Sequence, residues 1–167
     1  MIRRTRSIVF LAIILGFTVL LSMSVYYQAD TFRAFSFNMD ITEIRLVKNE
    51  TSGRYHRVEV RVRMDNPSQV TPLHFAGTDT RIRLNGENLY YGFGPKGHQF
   101  FLQPGESHDF GWHYATPESD WALLNESEFT DTWNWFLYQE PYVEAGFLGR
   151  IEVIRINEFI GVTIIRI

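Results

Sequence analysis

Cysteine is absent from all 167 residues. Without it the chain forms no disulfide, holds no metal through thiolates and offers no thiol nucleophile. Recognisable catalytic spacing is missing too. There is no Gly-x-Ser-x-Gly and no His-Glu-x-x-His, and the glycine-rich stretch 92–97 does not end in Gly-Lys-Ser/Thr. The histidines His56, His74, His98, His108 and His113 fall at no metal-ligating spacing. His108 and His113 lie an odd number of positions apart on an expected strand, so they point to opposite faces. No cofactor, metal site or catalytic residue is expected, and the chain does not read as an enzyme. A basic excess is lacking as well. The formal net charge is −3, which disfavours nucleic acid as a partner. Repeats and low-complexity segments are absent.

What is present begins with an apolar run. Ile8 to Val25 carries no charge over about 18 residues, which as a helix reach roughly 27 Å, close to the hydrocarbon thickness of a bilayer. Arg3, Arg4 and Arg6 precede it, Tyr26 and Tyr27 follow it, and no acidic residue occurs before Asp30. Basic residues stay on the cytoplasmic side and tyrosines favour the membrane boundary. The expectation is a cytoplasmic segment 1–7, a single-pass anchor over 8–27, and a domain over 31–167 held outside the cytoplasm at the cell membrane. A cleaved signal peptide is the competing reading, with Ser22-Met23-Ser24 as a small-x-small site. Either way the domain is exported.

The remainder is long enough for one domain with a real core. Aromatic residues make up 16% of the chain, so apolar bulk for that core is plentiful. Phe35, Phe37, Met39 and Ile41 alternate with polar residues, and Val58, Val60, Val62 and Met64 alternate with Glu59, Arg61 and Arg63. Period two with one charged face predicts half-buried antiparallel strands. Asn66-Pro67 ends the second of these, Asn85-Gly86 predicts a tight hairpin after Arg81–Leu84, and Pro104-Gly105 predicts a turn before Phe110, Trp112 and Tyr114. The Asn66 amide is expected to satisfy backbone groups freed by Pro67.

From Thr116 the grammar changes. Thr116-Pro117-Glu118 predicts a helix start capped by the Thr116 hydroxyl. Phe129, Trp133, Phe136 and Leu137 fall at helical spacing, which predicts a second helix before Pro141 and a helical insert over about 117–140. On that helix Trp135 and Tyr138 lie off the inward stripe, which makes them the candidate interaction surface with protein, glycan or lipid. The alternative is that the insert closes one end of the domain and buries its aromatics. The closing residues 150–167 are apolar on both faces, so their strands are expected to be central or covered, and self-association through the last one is a candidate. Asn49-Glu50-Thr51 and Asn125-Glu126-Ser127 are glycosylation sequons, usable if the host modifies exported proteins. The fold expected from these patterns is all-β: an immunoglobulin- or fibronectin-like antiparallel sandwich of about seven strands with a short helical insert, behind one transmembrane helix.

The order Val58–Pro67, then Pro72-Leu73, then Leu84-Asn85-Gly86, then Gln103-Pro104-Gly105-Glu106 and a closing strand after Gly149 resembles a known module. It looks like the water-stress and hypersensitive-response domain of the group 2 late embryogenesis abundant proteins, over roughly residues 35–165. The residues carrying the resemblance, Asn66, Pro67, Pro72, Leu73, Asn85, Gly86, Pro104 and Gly105, are structural. The tryptophan-rich insert departs from the pattern. The resemblance implies a non-enzymatic sandwich associated with desiccation and other stress, protecting proteins or membranes, and several members are tethered by one N-terminal helix.

Overall fold

The computed structural model describes residues 2–93, 99–146, 149–152 and 155–167. A single helix, α1 (Ile2–Ala34), leads without a break to the edge of a β-sandwich. It outlasts the apolar run by two turns, and no linker follows: β1 (Asn38–Lys48) begins after a short turn. Phe35 and Phe37 belong to that turn rather than to the strand. Its backbone is held by the Arg155 guanidinium, which donates to the Phe37 carbonyl at 2.9 Å and lies 4.5 Å from the Phe37 ring.

One sheet has the order β10-β1-β2-β6, with β2 (Tyr55–Asp65), β6 (Ser107–Ala115) and β10 (Thr163–Arg166). The other is built on two long strands, β3 (Leu73–Leu84) and β7 (Asn134–Ala145). Beyond β3 lie β4 (Glu87–Phe93) and β5 (Phe100–Leu102), and beyond β7 lie β8 (Arg150–Glu152) and β9 (Arg155–Ile160). Ten strands are thus present among the described residues rather than about seven, because each long strand is flanked by two short ones. The pairing is antiparallel except where β10 lies parallel to β1. The glycine-rich stretch 92–97 is in part strand, since Gly92 and Phe93 end β4, and its remainder lies outside the described residues.

The core follows the alternation. Val58, Val60, Val62 and Met64 are fully buried and meet Leu73, Phe75, Ile82, Leu84 and Leu137 from the facing sheet. The outer faces are solvated and charged, as the Arg63–Asp109 pair across β2 and β6 illustrates with contacts of 2.8 and 2.9 Å.

Three expectations for the insert fail together. Only α2 (Trp121–Thr130), introduced by a 3-10 turn at Glu118–Asp120, is helical. The expected second helix is strand β7, in which Trp135, Leu137, Gln139 and Val143 point inward and Phe136, Tyr138 and Glu140 outward. Burial along a sheet has overridden an accidental i, i+4 spacing. Pro141, expected to end the insert, stands inside β7 opposite Thr78, next to the bulge between Phe75 and Gly77. A bulge is one of the few places where a strand admits proline. Nor does Thr116 cap a helix. Its hydroxyl donates to the Tyr55 carbonyl at 2.6 Å, closing the top of β2.

Candidate functional site at the helix–sandwich junction

Six of the eight motif residues gather at the end of the sandwich from which α1 departs. The Asn66 side chain is buried and organises the 66–72 loop. Its Nδ2 donates to the carbonyls of Thr71 (3.0 Å), Leu102 (3.1 Å) and Gln103 (3.3 Å), and its Oδ1 accepts from the Ser68 N–H. The Asn66 backbone pairs with the 103–106 turn, accepting from Gly105 and donating to Glu106. Asn66, Pro67, Pro72, Leu73, Pro104 and Gly105 therefore form one assembly. Asn85 and Gly86 lie at the opposite end, as the left-handed hairpin turn that the sequence implies (φ 50° and 90°). There the Asn85 side chain bonds Ser127 and the backbone of Thr132 and Asn134, joining the hairpin to α2.

The loop that Asn66 folds presents three successive backbone N–H groups to one carboxylate. Asp30, in the last turns of α1 and 2% exposed, accepts from Gln69 at 2.8 Å and from Val70 and Thr71 at 2.9 Å each. Such a nest of amides suits an anion, and bonds to an ionised acceptor are the stronger kind. Around it the Tyr26 hydroxyl donates to Gln69 Oε1 at 2.8 Å, and Thr31 meets Thr71. Gly146 completes the fit. It has a positive φ, and a Cβ there would come within 2.8 Å of the Thr31 hydroxyl. Sequence reasoning missed Asp30 as a functional residue. The signal was available: it is the first acidic residue of the chain, near a helix C-terminus, where the helix dipole disfavours negative charge.

Between Ile8 and Ala34 the helix is long and apolar enough to cross a membrane, and none of its most apolar window is buried against the sandwich. It is therefore not a core helix of the domain.

The far end is closed by α2. Lys48 donates to Glu128 Oε2 at 2.5 Å, the Tyr55 hydroxyl lies 2.8 Å from the same oxygen, and Arg166 reaches Oε1 at 3.4 Å. The clasp ties α2 to β1, β2 and the last strand. The Lys48 bond holds the Glu128 carboxyl below the ordinary 4.5, burial works against it, and Tyr55 and Arg166 add to the lowering. Burial and the Glu128 contact push the Tyr55 hydroxyl well above its usual range, so it stays protonated. A carboxyl depressed in the folded state contributes fully above its unfolded value and loses that contribution as the pH falls through the folded value. The thermal midpoint of the wild type should therefore exceed that of Glu128→Gln at about pH 6, and the gap should close toward about pH 3. A gap that does not change with pH would mean that the clasp is not ionic.

The candidate surface residues separate. Trp135 is 1% exposed and stacks on Trp133, with ring centroids 6.1 Å apart, so its ring is not available to a partner. Tyr138 is half-buried on the outer face of β7, with the Arg81 guanidinium 5.4 Å from its ring. Tyr114 and Trp133 are also buried, which fits an insert that closes the end of the sandwich. The closing strands are neither central nor fully covered. β9 and β10 are outer strands, and Ile156, Ile160 and Ile167 are exposed, as is Phe129 of α2 at 92%. Residues 153 and 154 of the expected closing strands lie outside the described residues. Among the described residues no group of His, Asp and Glu could hold a metal ion.

No family model matches the sequence, and no curated protein is significantly similar to it. Solved structures do share the fold. A protein from Arabidopsis thaliana superposes with a TM-score of 0.52 at 13% identity, over 76% of this chain and 82% of the other. A protein described as late embryogenesis abundant gives 0.50 at 10% identity, over 89% and 86%. A structural genomics target, SoR45, gives 0.51 at 14% identity, over 77% and 87%. The sandwich thus has a fold like that of a late embryogenesis abundant protein, in agreement with the resemblance read from its turns.

Proposed function

We propose that the protein is a membrane-anchored, non-enzymatic stress-protection or interaction module. Its sandwich works outside the cytoplasm, by surface contact with proteins or lipid and without turnover. The observation that carries this reading is the union of an exposed apolar helix with a late-embryogenesis-abundant-like sandwich through a built, buried joint at Asp30. The arginines ahead of the helix support the outward orientation. The stress role rests on the fold likeness, and it is consistent with the solvated, ion-paired sheet faces.

A second reading, a structural or assembly subunit of the cell envelope, is favoured by one feature. The far end exposes Phe129 and Ile160 at 92% and 83% next to an outer strand. Exposed apolar side chains beside an unpaired edge suit a protein partner. The full chain in phospholipid nanodiscs separates the two. Under the first reading it slows the aggregation of a heat-labile test enzyme during heating or drying, and empty nanodiscs do not. Equal aggregation in both samples, together with a stoichiometric partner co-purifying from membranes, would overturn the first reading in favour of the second.

A further inference from the structure

Docking of α1 fixes more than the angle of the sandwich; it also fixes a height. The 66–72 loop does not merely touch the end of the helix. Gln69 reaches back to the Tyr26 hydroxyl, and Val70 lines one hollow with Ser22, Met23, Tyr26 and Tyr27, a hollow with almost no polar lining. Ser22 and Met23 belong to the apolar run itself, about one turn, or roughly 5 Å, deeper than the tyrosine pair that marks its boundary. Val70 is 46% exposed, and its neighbour Met23 is 64% exposed. A contiguous apolar surface of this kind at the rim of an anchoring helix is costly in water and favourable in the zone between headgroups and acyl chains.

The depth is not adjustable. The backbone amides of Gln69 and Val70 are two of the three that hold Asp30, and α1 has no hinge between Met23 and Ala34. Wherever Met23 and Tyr26 reside relative to the bilayer, Val70 resides beside them. Resting on the anchor reading above, we infer that the tip of the Asn-Pro loop, residues 69–70, is seated in the interfacial layer of the bilayer that α1 crosses. The sandwich then stands on the lipid surface instead of hanging beyond it on a stalk. The partner of this face is the bilayer, and its recognition is apolar insertion at the level of the Tyr26–Tyr27 pair.

The cysteine-free sequence makes the test direct, because any introduced thiol is the only one. Single nitroxide labels are placed at Val70→Cys, Met23→Cys, Phe32→Cys, Leu15→Cys and Phe129→Cys. The full chain is reconstituted in phosphatidylcholine vesicles, and each depth is read from relative accessibility to oxygen and to a water-soluble nickel chelate. The helix positions form a ruler of about 1.5 Å per residue. The expected result places Val70 within about 5 Å of Met23 and on the membrane side of Phe32, with Leu15 deep in lipid and Phe129 in water. If Leu15 reports lipid while Val70 matches Phe129, the inference fails and the anchor stands. If Leu15 itself reports water, the anchor reading fails first and takes the inference with it. Since Val70 lies outside the core, labelling should leave the sandwich folded. Met23→Cys and Phe32→Cys cross-checked against Asp30→Ala, which removes both acceptor oxygens, give a second measurement: releasing the joint should move the Val70 label toward water and leave both helix labels unchanged.

Discussion

Asp30→Ala should destabilise the protein by about 3–5 kcal/mol, as expected when one side of a buried charged hydrogen-bond network is removed. The three amides of Gln69, Val70 and Thr71 lose their common acceptor, and Thr71, itself fully buried, has no water to turn to. Asp30→Asn should cost less, because an amide keeps one acceptor oxygen in place. Chemical denaturation in detergent micelles measures the loss. Amide hydrogen exchange should localise it, with protection falling first at residues 69–71 and only later in β2. A value within about 0.5 kcal/mol of wild type, typical of an ordinary surface change, would show that the helix is merely adjacent to the sandwich.

Trp135→Ala should cost a similar amount, about 3–5 kcal/mol, because it empties one of the largest fully buried side-chain volumes in the domain. The indole ring lies on Trp133 between β7 and the far-end closure, and Phe159 pairs opposite it on β9. Its indole nitrogen has no acceptor among the described residues, which offsets part of the gain from burial and keeps the expected loss within that range. The same substitution on an exposed binding surface would leave stability almost unchanged and abolish binding. Thermal unfolding of Trp135→Ala beside Tyr138→Ala therefore distinguishes the inward face of β7 from its outward face. Tyr138→Ala should change stability far less.

Asp30 and Trp135 both mark where sequence reasoning failed, and other elements show where it succeeded. The long apolar helix, the alternation in β2 and the Asn85-Gly86 hairpin were legible because each is a local pattern with one physical cause. Asn66 was legible as a turn satisfier, and the structure gives it four side-chain bonds of that kind. The stretch 129–137 misled because aromatics four apart satisfy a helical template while those two apart satisfy a strand, and only the neighbouring β3 decides between them. Trp135 then inherited the wrong face from the wrong period. Asp30 was missed for a different reason: its place near a helix C-terminus was readable, but its partners are backbone amides some forty positions away, and backbone amides carry no sequence signature. The closing strands looked central because their composition is apolar on both sides, yet they fill edge positions in two different sheets.

The parallel pairing of β10 with β1 gives the molecule a mechanical character. β1 follows directly on α1, and β10 runs beside it in the same direction, with Arg45 through Lys48 opposite Thr163 through Arg166. Tension applied between α1 and Ile167 would pull these neighbours in opposite directions along their length. Their backbone bonds would then be strained all at once, in shear, rather than opened one after another as in an unzipping hairpin. The fold resists separation of its two chain ends by loading this pair of strands along their full paired length.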